Sequence, residues 1–156
     1  PFVLVDPVIG DDGALYVPQD VAEAIREHLL PHAHCITPNG FELAWLSGHV
    51  VTDEESAVTA ARDLGIAEVI ATSIPAADGR LSTLLVTGSG VHRAVTTRLS
   101  NVPNGTGDML GGLYLAQRLE RPPEEALAAA VEVLTRAITR SAGTAVLDVA
   151  GALHRP

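Results

Sequence analysis

Short apolar runs alternate with helix-period segments along this chain, and that alternation limits its fold more than any other feature. Residues 2–5 are an unbroken apolar run that stops at Asp6-Pro7. Val21, Ile25 and Leu29 then recur at helical spacing behind Pro18, a residue well suited to a helix start. Residues 34–37 predict a second short strand, ended by Pro38, and residues 39–47 a short helix. Thr52-x-x-Glu55 reads as a capping box. It opens a helix with Val58, Ala61 and Leu64 on one side, and Gly65 closes it. Residues 68–72 (EVIAT) predict a third buried strand, and residues 75–80 a polar loop. Residues 82–86 and 91–97 flank Thr87-Gly88-Ser89-Gly90 and predict a hairpin. A glycine-rich stretch at 104–107 leads into a helix reaching about residue 119. Pro122-Pro123 begins another, with Leu127, Val131, Leu134 and Ile138 on one face, and residues 145–153 predict a last helical segment.

Strands alternating with helices predict an α/β fold, a mostly parallel sheet flanked by helices, with the hairpin as an antiparallel edge. The expectation is a single domain over residues 1–156. In such sheets ligands sit beyond the carboxyl ends of the strands. That rule selects Asp6, Thr37-Pro38-Asn39, Thr72-Ser73 and the glycine loop at 105–107.

Four motifs at these positions carry possible chemistry. In Gly105-Thr106-Gly107-Asp108, glycines at a helix start let the backbone approach a ligand closely. The free first-turn N–H groups and the helix dipole favour an anion, such as a phosphoryl group in transfer. Asp108 stands where it could accept a proton from an attacking hydroxyl. A plain glycine turn, with Asp108 stabilising the helix by roughly 0.3–1 kcal/mol, explains the same string. In Thr37-Pro38-Asn39-Gly40-Phe41-Glu42, Asn39 and Glu42 form either an ordinary helix cap or a Mg²⁺ and phosphate network. Asp6, in Asp6-Pro7-Val8-Ile9-Gly10-Asp11, either caps a turn or acts electrostatically near a cation. Asp11 and Tyr16 follow in a loop able to approach phosphates or an acceptor. Thr72 and Ser73 offer hydroxyls to phosphate oxygens, or simply make a turn.

Composition excludes several classes. The net charge is −9, from 10 Lys and Arg against 19 Asp and Glu. That balance disfavours nucleic-acid and anionic-membrane partners. No apolar run nears the roughly 18 residues of a membrane span, which also argues against intramembrane proteases sharing a GxGD string. The single Cys35 forms no intrachain disulfide and fits a reducing cytoplasm. It is expected in the core. The six histidines lack metal-ligand spacing, and neither a GxxxxGK[ST] nor a strand-following GxGxxG is present. The chain opens at Pro1 on a buried strand without an initiator Met. The expectation is that it is the C-terminal portion of a longer protein.

With these motifs in this order, the chain resembles the ribokinase-like superfamily and, within it, the pyridoxal kinases. The matching stretches are residues 6–21 (DPVIGDDGALYVPQDV), 36–48 (ITPNGFELAWLSG), 69–73 (VIATS) and 105–112 (GTGDMLGG). The resemblance runs from residue 1 to about 140. It implies ATP-dependent phosphorylation of the pyridoxal hydroxymethyl group, with Asp108 as base and Gly105, Thr106 and Gly107 as an anion hole. It places Asn39 and Glu42 in the Mg²⁺–ATP network. Asp6, Thr37 and Thr72 would lie near a monovalent cation such as K⁺ and the phosphates, with Ser73 beside Thr72. Asp11 and Tyr16 would contact the ATP side, and the loops after Thr72 and around 97–104 would border adenine and ribose. A cytoplasmic homodimer is implied as well. Two departures stand out: the family's N-terminal, substrate-binding region is absent, and Asn104 replaces an apolar residue common in relatives. Hydroxymethylpyrimidine kinases often carry Cys where this chain has Asp108. They, sugar kinases and an inactive nucleotide-binding or dimerisation fragment are the alternatives.

Overall fold

A computed structural model describes residues 1–96, 105–141, 144 and 147–153. The expectations for residues 97–104, Asn104 among them, lie outside the described residues. The chain divides into two compact units, Pro1–Thr97 and Arg98–Pro156.

The first unit is built on a five-stranded sheet. Its strands are β1 (Leu4–Val5), β4 (Cys35–Ile36), β5 (Glu68–Pro75), β6 (Leu81–Thr87) and β7 (Gly90–Thr96), in that spatial order. β1 pairs parallel with β4, and β4 parallel with β5. β5, β6 and β7 are joined antiparallel. The sheet is therefore mixed: the expected parallel strands, with the expected hairpin at one edge. Cys35, Ile36, Val69, Ile70, Ala71 and Leu85 are fully buried, so these short strands read as continuous apolar runs, as two-sided burial requires. Each buried Ile or Leu contributes roughly 1.5–3 kcal/mol.

Two helices cover the sheet, α2 (Gly40–Ser47) and α3 (Glu54–Asp63). Leu43 and Leu46 from α2 and Ala57, Ala60 and Ala61 from α3 join the same core cluster as Ile36, Val69 and Ile74. Small alanines let α3 lie close to the strands. α2 ends at Gly48, whose φ of 74° closes the helix in the left-handed region. Between β1 and β4 the chain forms α1 (Gln19–Ala24), a π-turn (Ile25–Leu29) and a 3-10 turn (Leu30–His32). Pro31 has no N–H to continue a helix.

Three sequence expectations shift. The capping box of α3 lies one residue later than Thr52 and Glu55. The Asp53 carboxylate accepts from the Ser56 N–H at 2.9 Å, and the Ser56 hydroxyl oxygen accepts from the Asp53 N–H at 3.1 Å. Asp caps as well as Thr does, and this register leaves Glu54 and Glu55 in the first turn, at the positive end of the dipole. β5 runs past residue 72, because a bulge between Ala71 and Ile74 lets Ile74 and Pro75 resume pairing with Ser82 and Leu81. A second, two-stranded sheet, β2 (Gly10–Asp11) with β3 (Ala14–Leu15), occupies what was expected to be loop. Asp12 and Gly13, with φ of 48° and 82°, form its turn, the backbone geometry that Asp-Gly hairpins use.

The second unit holds three helices, α4 (Thr106–Arg118), α5 (Pro123–Arg140) and α6 (Val149–Leu153). α4 buries Leu110, Gly111 and Tyr114. α5 buries Ala126, Leu127, Ala130 and Ala137. Of the expected last helical segment, the described residues form α6 from Val149; Leu147 and Asp148 precede it, and the Asp148 carboxylate accepts from the Gly151 N–H at 2.9 Å.

Candidate functional site

Within the first unit, the selected strand ends converge. Asp6 leaves β1 and Thr37 leaves β4 next to it, and the Thr37 hydroxyl donates to Asp6 Oδ1 at 2.8 Å. Thr37 is buried, so its hydroxyl is satisfied by a carboxylate and not by water. Thr72 lies beside the next turn: its N–H donates to the Pro38 carbonyl at 2.8 Å, and Thr72 bridges to Asn39. Ser73 follows in the bulge with a φ of 56° and an exposed side chain. Asp6, Thr37, Asn39 and Thr72 thus share one end of the sheet.

Asn39 and Glu42 form the complete capping box of α2. Asn39 Oδ1 accepts from the Glu42 N–H at 2.9 Å, and Glu42 Oε2 accepts from the Asn39 N–H at 3.0 Å. Both side chains also reach the segment after β1. Glu42 Oε1 accepts from the N–H of Ile9 at 2.8 Å and of Gly10 at 3.4 Å. Asn39 Nδ2 donates to the Gly10 carbonyl at 2.8 Å. Glu42 is only 4% exposed. Burial raises its carboxyl pKa above the ordinary value, the three backbone donors oppose that rise, and the nearby negative charge of Asp6 adds to it.

Asp11 and Tyr16 sit on and just beyond the small hairpin. The Asp11 carboxylate accepts from the Asp12 N–H at 2.8 Å. The Tyr16 N–H donates to the Ile9 carbonyl at 2.8 Å, while its side chain is largely exposed. Sequence reasoning placed no weight on Ile9, Gly10 or Phe41. A Cβ built on Gly10 would collide with the Ala14 carbonyl and the Phe41 ring. The Asp12-Gly13 pair, a hairpin signal, could have exposed this arrangement. Among the described residues, no three His, Cys, Asp or Glu side chains come together as a metal cage, and no helix is long and apolar enough to cross a membrane.

In the second unit, Gly105 precedes α4 with a φ of 89°, a conformation that favours glycine. No side chain caps the helix. The first-turn N–H groups of Thr106, Gly107 and Asp108 therefore lack intrahelical partners. Asp108 lies in that turn and is exposed, as is Gly107. A left-handed glycine, uncapped N–H groups and an accessible carboxylate thus occupy one helix start. Buried Leu110 and Tyr114 hold that helix in place one and two turns on.

The phosphomethylpyrimidine kinase family matches residues 1–153. The chain belongs to that family. Among similar proteins of this family's kind, the pyridoxine/pyridoxal/pyridoxamine kinase of Bordetella avium (strain 197N) is 41% identical over 157 residues, covering 93% of this chain and 52% of its own length. A pyridoxal kinase from Leishmania donovani in complex with ADP and pyridoxine is 32% identical, with a TM-score of 0.86 over 96% of this chain and 56% of that one. The pyridoxal kinase from Entamoeba histolytica gives a TM-score of 0.87 at 26% identity, over 96% and 56%. These likenesses show that the chain has the ribokinase-like fold of those kinases. The chain spans about half the length of the curated relatives it matches.

Proposed function

We propose that this chain is the nucleotide-binding and phosphoryl-transfer part of an ATP-dependent kinase acting on the 5′-hydroxymethyl group of pyridoxal. The start of α4 carries the reading: Gly105 in the left-handed region, uncapped N–H groups, and Asp108 exposed in the first turn. The Leishmania donovani relative, in complex with ADP and pyridoxine, supports both ligand classes.

In this reading Asp108 accepts the proton of the substrate hydroxymethyl group as its oxygen attacks the γ-phosphorus of ATP. The new O–P bond forms as the bond from that phosphorus to the β,γ-bridging oxygen breaks, and ADP leaves. Gly105, Thr106 and Gly107 offer backbone N–H groups to the charge on the phosphoryl oxygens in transfer. Positioning and electrostatics supply most of the acceleration.

In the same reading Asp6, Thr37, Asn39, Glu42, Thr72 and Ser73 serve nucleotide phosphates and cations, with Asp11 and Tyr16 on the ATP side. The donor set fits a hard cation: burial first, and then the negative charge of Asp6, raise the Glu42 pKa, and a cation near both carboxylates relieves their mutual repulsion. Three of the roughly four acceptor positions on the Glu42 carboxylate are taken by backbone N–H groups, so Glu42 and Asn39 act on Mg²⁺ through water. When bound, Mg²⁺ would neutralise charge on the phosphates. K⁺ near Asp6, Thr37 and Thr72, a homodimer and a cytoplasmic location belong to the same reading.

The family's description favours a second reading, a hydroxymethylpyrimidine kinase. Asp108, where those enzymes often carry Cys, weighs for pyridoxal. A third reading is a nucleotide-binding or dimerisation module without turnover. Comparing ATP-dependent turnover on pyridoxal, hydroxymethylpyrimidine and a sugar separates the three. Pyridoxal as the best acceptor upholds the proposal. A preference for another acceptor selects that kinase, and no turnover on any of them selects the inactive module.

A further inference from the structure

The segment after β1 is held in an unfavourable shape. Val8, a β-branched residue, has a φ of 46°, where its side chain crowds the backbone. Next to it, the N–H groups of Ile9 and Gly10 both point at one carboxylate oxygen of Glu42. Successive N–H groups converging in this way make a concave anion seat, and here a side chain of the same protein fills it. The Ile9 side chain is fully buried. Gly10 is pressed against the Phe41 ring, and its carbonyl is taken by Asn39. Residues 39, 41 and 42, at the start of one helix, therefore grip the same two residues of the loop.

We infer that Glu42 is a positioning residue, whose buried carboxylate fixes, through the backbone of Ile9 and Gly10, the loop that presents Asp6, Asp11 and Tyr16. The presentation to nucleotide rests on the kinase reading above; the grip on the loop does not. A residue whose main task is to bind a metal leaves its oxygens open. Glu42 instead spends both oxygens on backbone donors and faces almost no solvent. Releasing it frees the two loop N–H groups as well as that of Asn39, and lets Val8 relax from its strained conformation.

The test compares Glu42→Ala, Glu42→Gln and Asn39→Ala. Amide hydrogen exchange, read residue by residue on ligand-free protein, requires no catalytic activity. Glu42→Ala should lose about 10-fold or more of the protection at Ile9 and Gly10, as expected for losing a charge-assisted hydrogen bond. Glu42→Gln keeps one carbonyl acceptor, able to turn to Ile9 and Gly10, while its NH₂ faces the Asn39 N–H in place of an acceptor; it should retain more protection than Glu42→Ala does. Asn39→Ala, which leaves the carboxylate in place, should fall between. If Glu42→Ala does not fold, the order of wild type, Glu42→Gln and Asn39→Ala decides. In the kinase assay, Glu42→Ala should raise KM for ATP by up to about 100-fold through misplacement. Unchanged protection in Glu42→Ala would overturn the inference. So would a Glu42→Gln protein as damaged as Glu42→Ala, or, where Glu42→Ala does not fold, one less protected than Asn39→Ala. Normal exchange behaviour with no turnover in wild type would instead fault the kinase reading alone.

Discussion

The side-chain amide of Asn39 donates to the carbonyl of Gly10 at 2.8 Å, across 29 residues of sequence. That bond joins the start of α2 to the loop after β1. Glu42 and Phe41 join the same two segments by other means, so the loop's shape is set by a helix start far along the chain.

Gly10 should tolerate no side chain. A methyl group there meets both the Ala14 carbonyl and the Phe41 ring. Gly10→Ala should lose about 1–3 kcal/mol, the usual cost of overpacking. Urea unfolding followed by the fluorescence of Trp45 would measure it, and a midpoint equal to wild type would contradict the packing described.

Glu42 should make stability depend on pH. Its carboxyl pKa is raised in the folded state above 4.5, first by burial. The native state then holds its proton more tightly than the unfolded chain does. This contribution to stability is fully present below the ordinary carboxyl pKa and is lost as pH rises through the higher folded value. As pH rises above the ordinary carboxyl value of 4.5, wild type should lose stability relative to Glu42→Gln. Parallel pH profiles of the two proteins' unfolding midpoints would contradict the raised value.

The cap of α3 gives a sharp comparison. Asp53→Ala removes the acceptor for the Ser56 N–H and should cost about 1 kcal/mol. Thr52→Ala, at the position the sequence pattern favoured, should change stability by less than about 0.5 kcal/mol. Thermal unfolding of both variants distinguishes the two registers, and a larger loss from Thr52→Ala would restore the earlier one.

Those residues show how far the sequence could be read. Short apolar runs made strands legible over 2–5, 34–37 and 68–72, and β1, β4 and the first part of β5 form there. α2 was legible because Asn39 and Glu42 are three apart, so their reciprocal capping is local. What lay hidden was long-range or competitive. Nothing near Glu42 in sequence shows that its carboxylate meets the N–H groups of Ile9 and Gly10, 33 and 32 residues earlier. At α3, two adjacent capping residues competed, and Asp53 prevailed over Thr52. β5 crossed its apparent end because Ser73 adopts a positive φ that carries the bulge. The start of α4 was legible from its glycines, since only a left-handed Gly105 leads into the helix this way.

Asp108 should matter for chemistry more than for binding. Asp108→Asn retains the side chain's shape and removes its basicity. Turnover should fall by about 100-fold or more, the usual worth of a positioned general base. ATP affinity, measured by calorimetry, should stay within a few-fold of wild type. Near-normal turnover in this variant would remove Asp108 from the role of base.

The most direct test of the kinase reading is ATP-dependent formation of pyridoxal 5′-phosphate by the purified protein that carries this chain, its intact mass determined on the same sample. The expected result is product formed in proportion to ADP released. A protein that binds ATP yet forms no phosphorylated pyridoxal would contradict it.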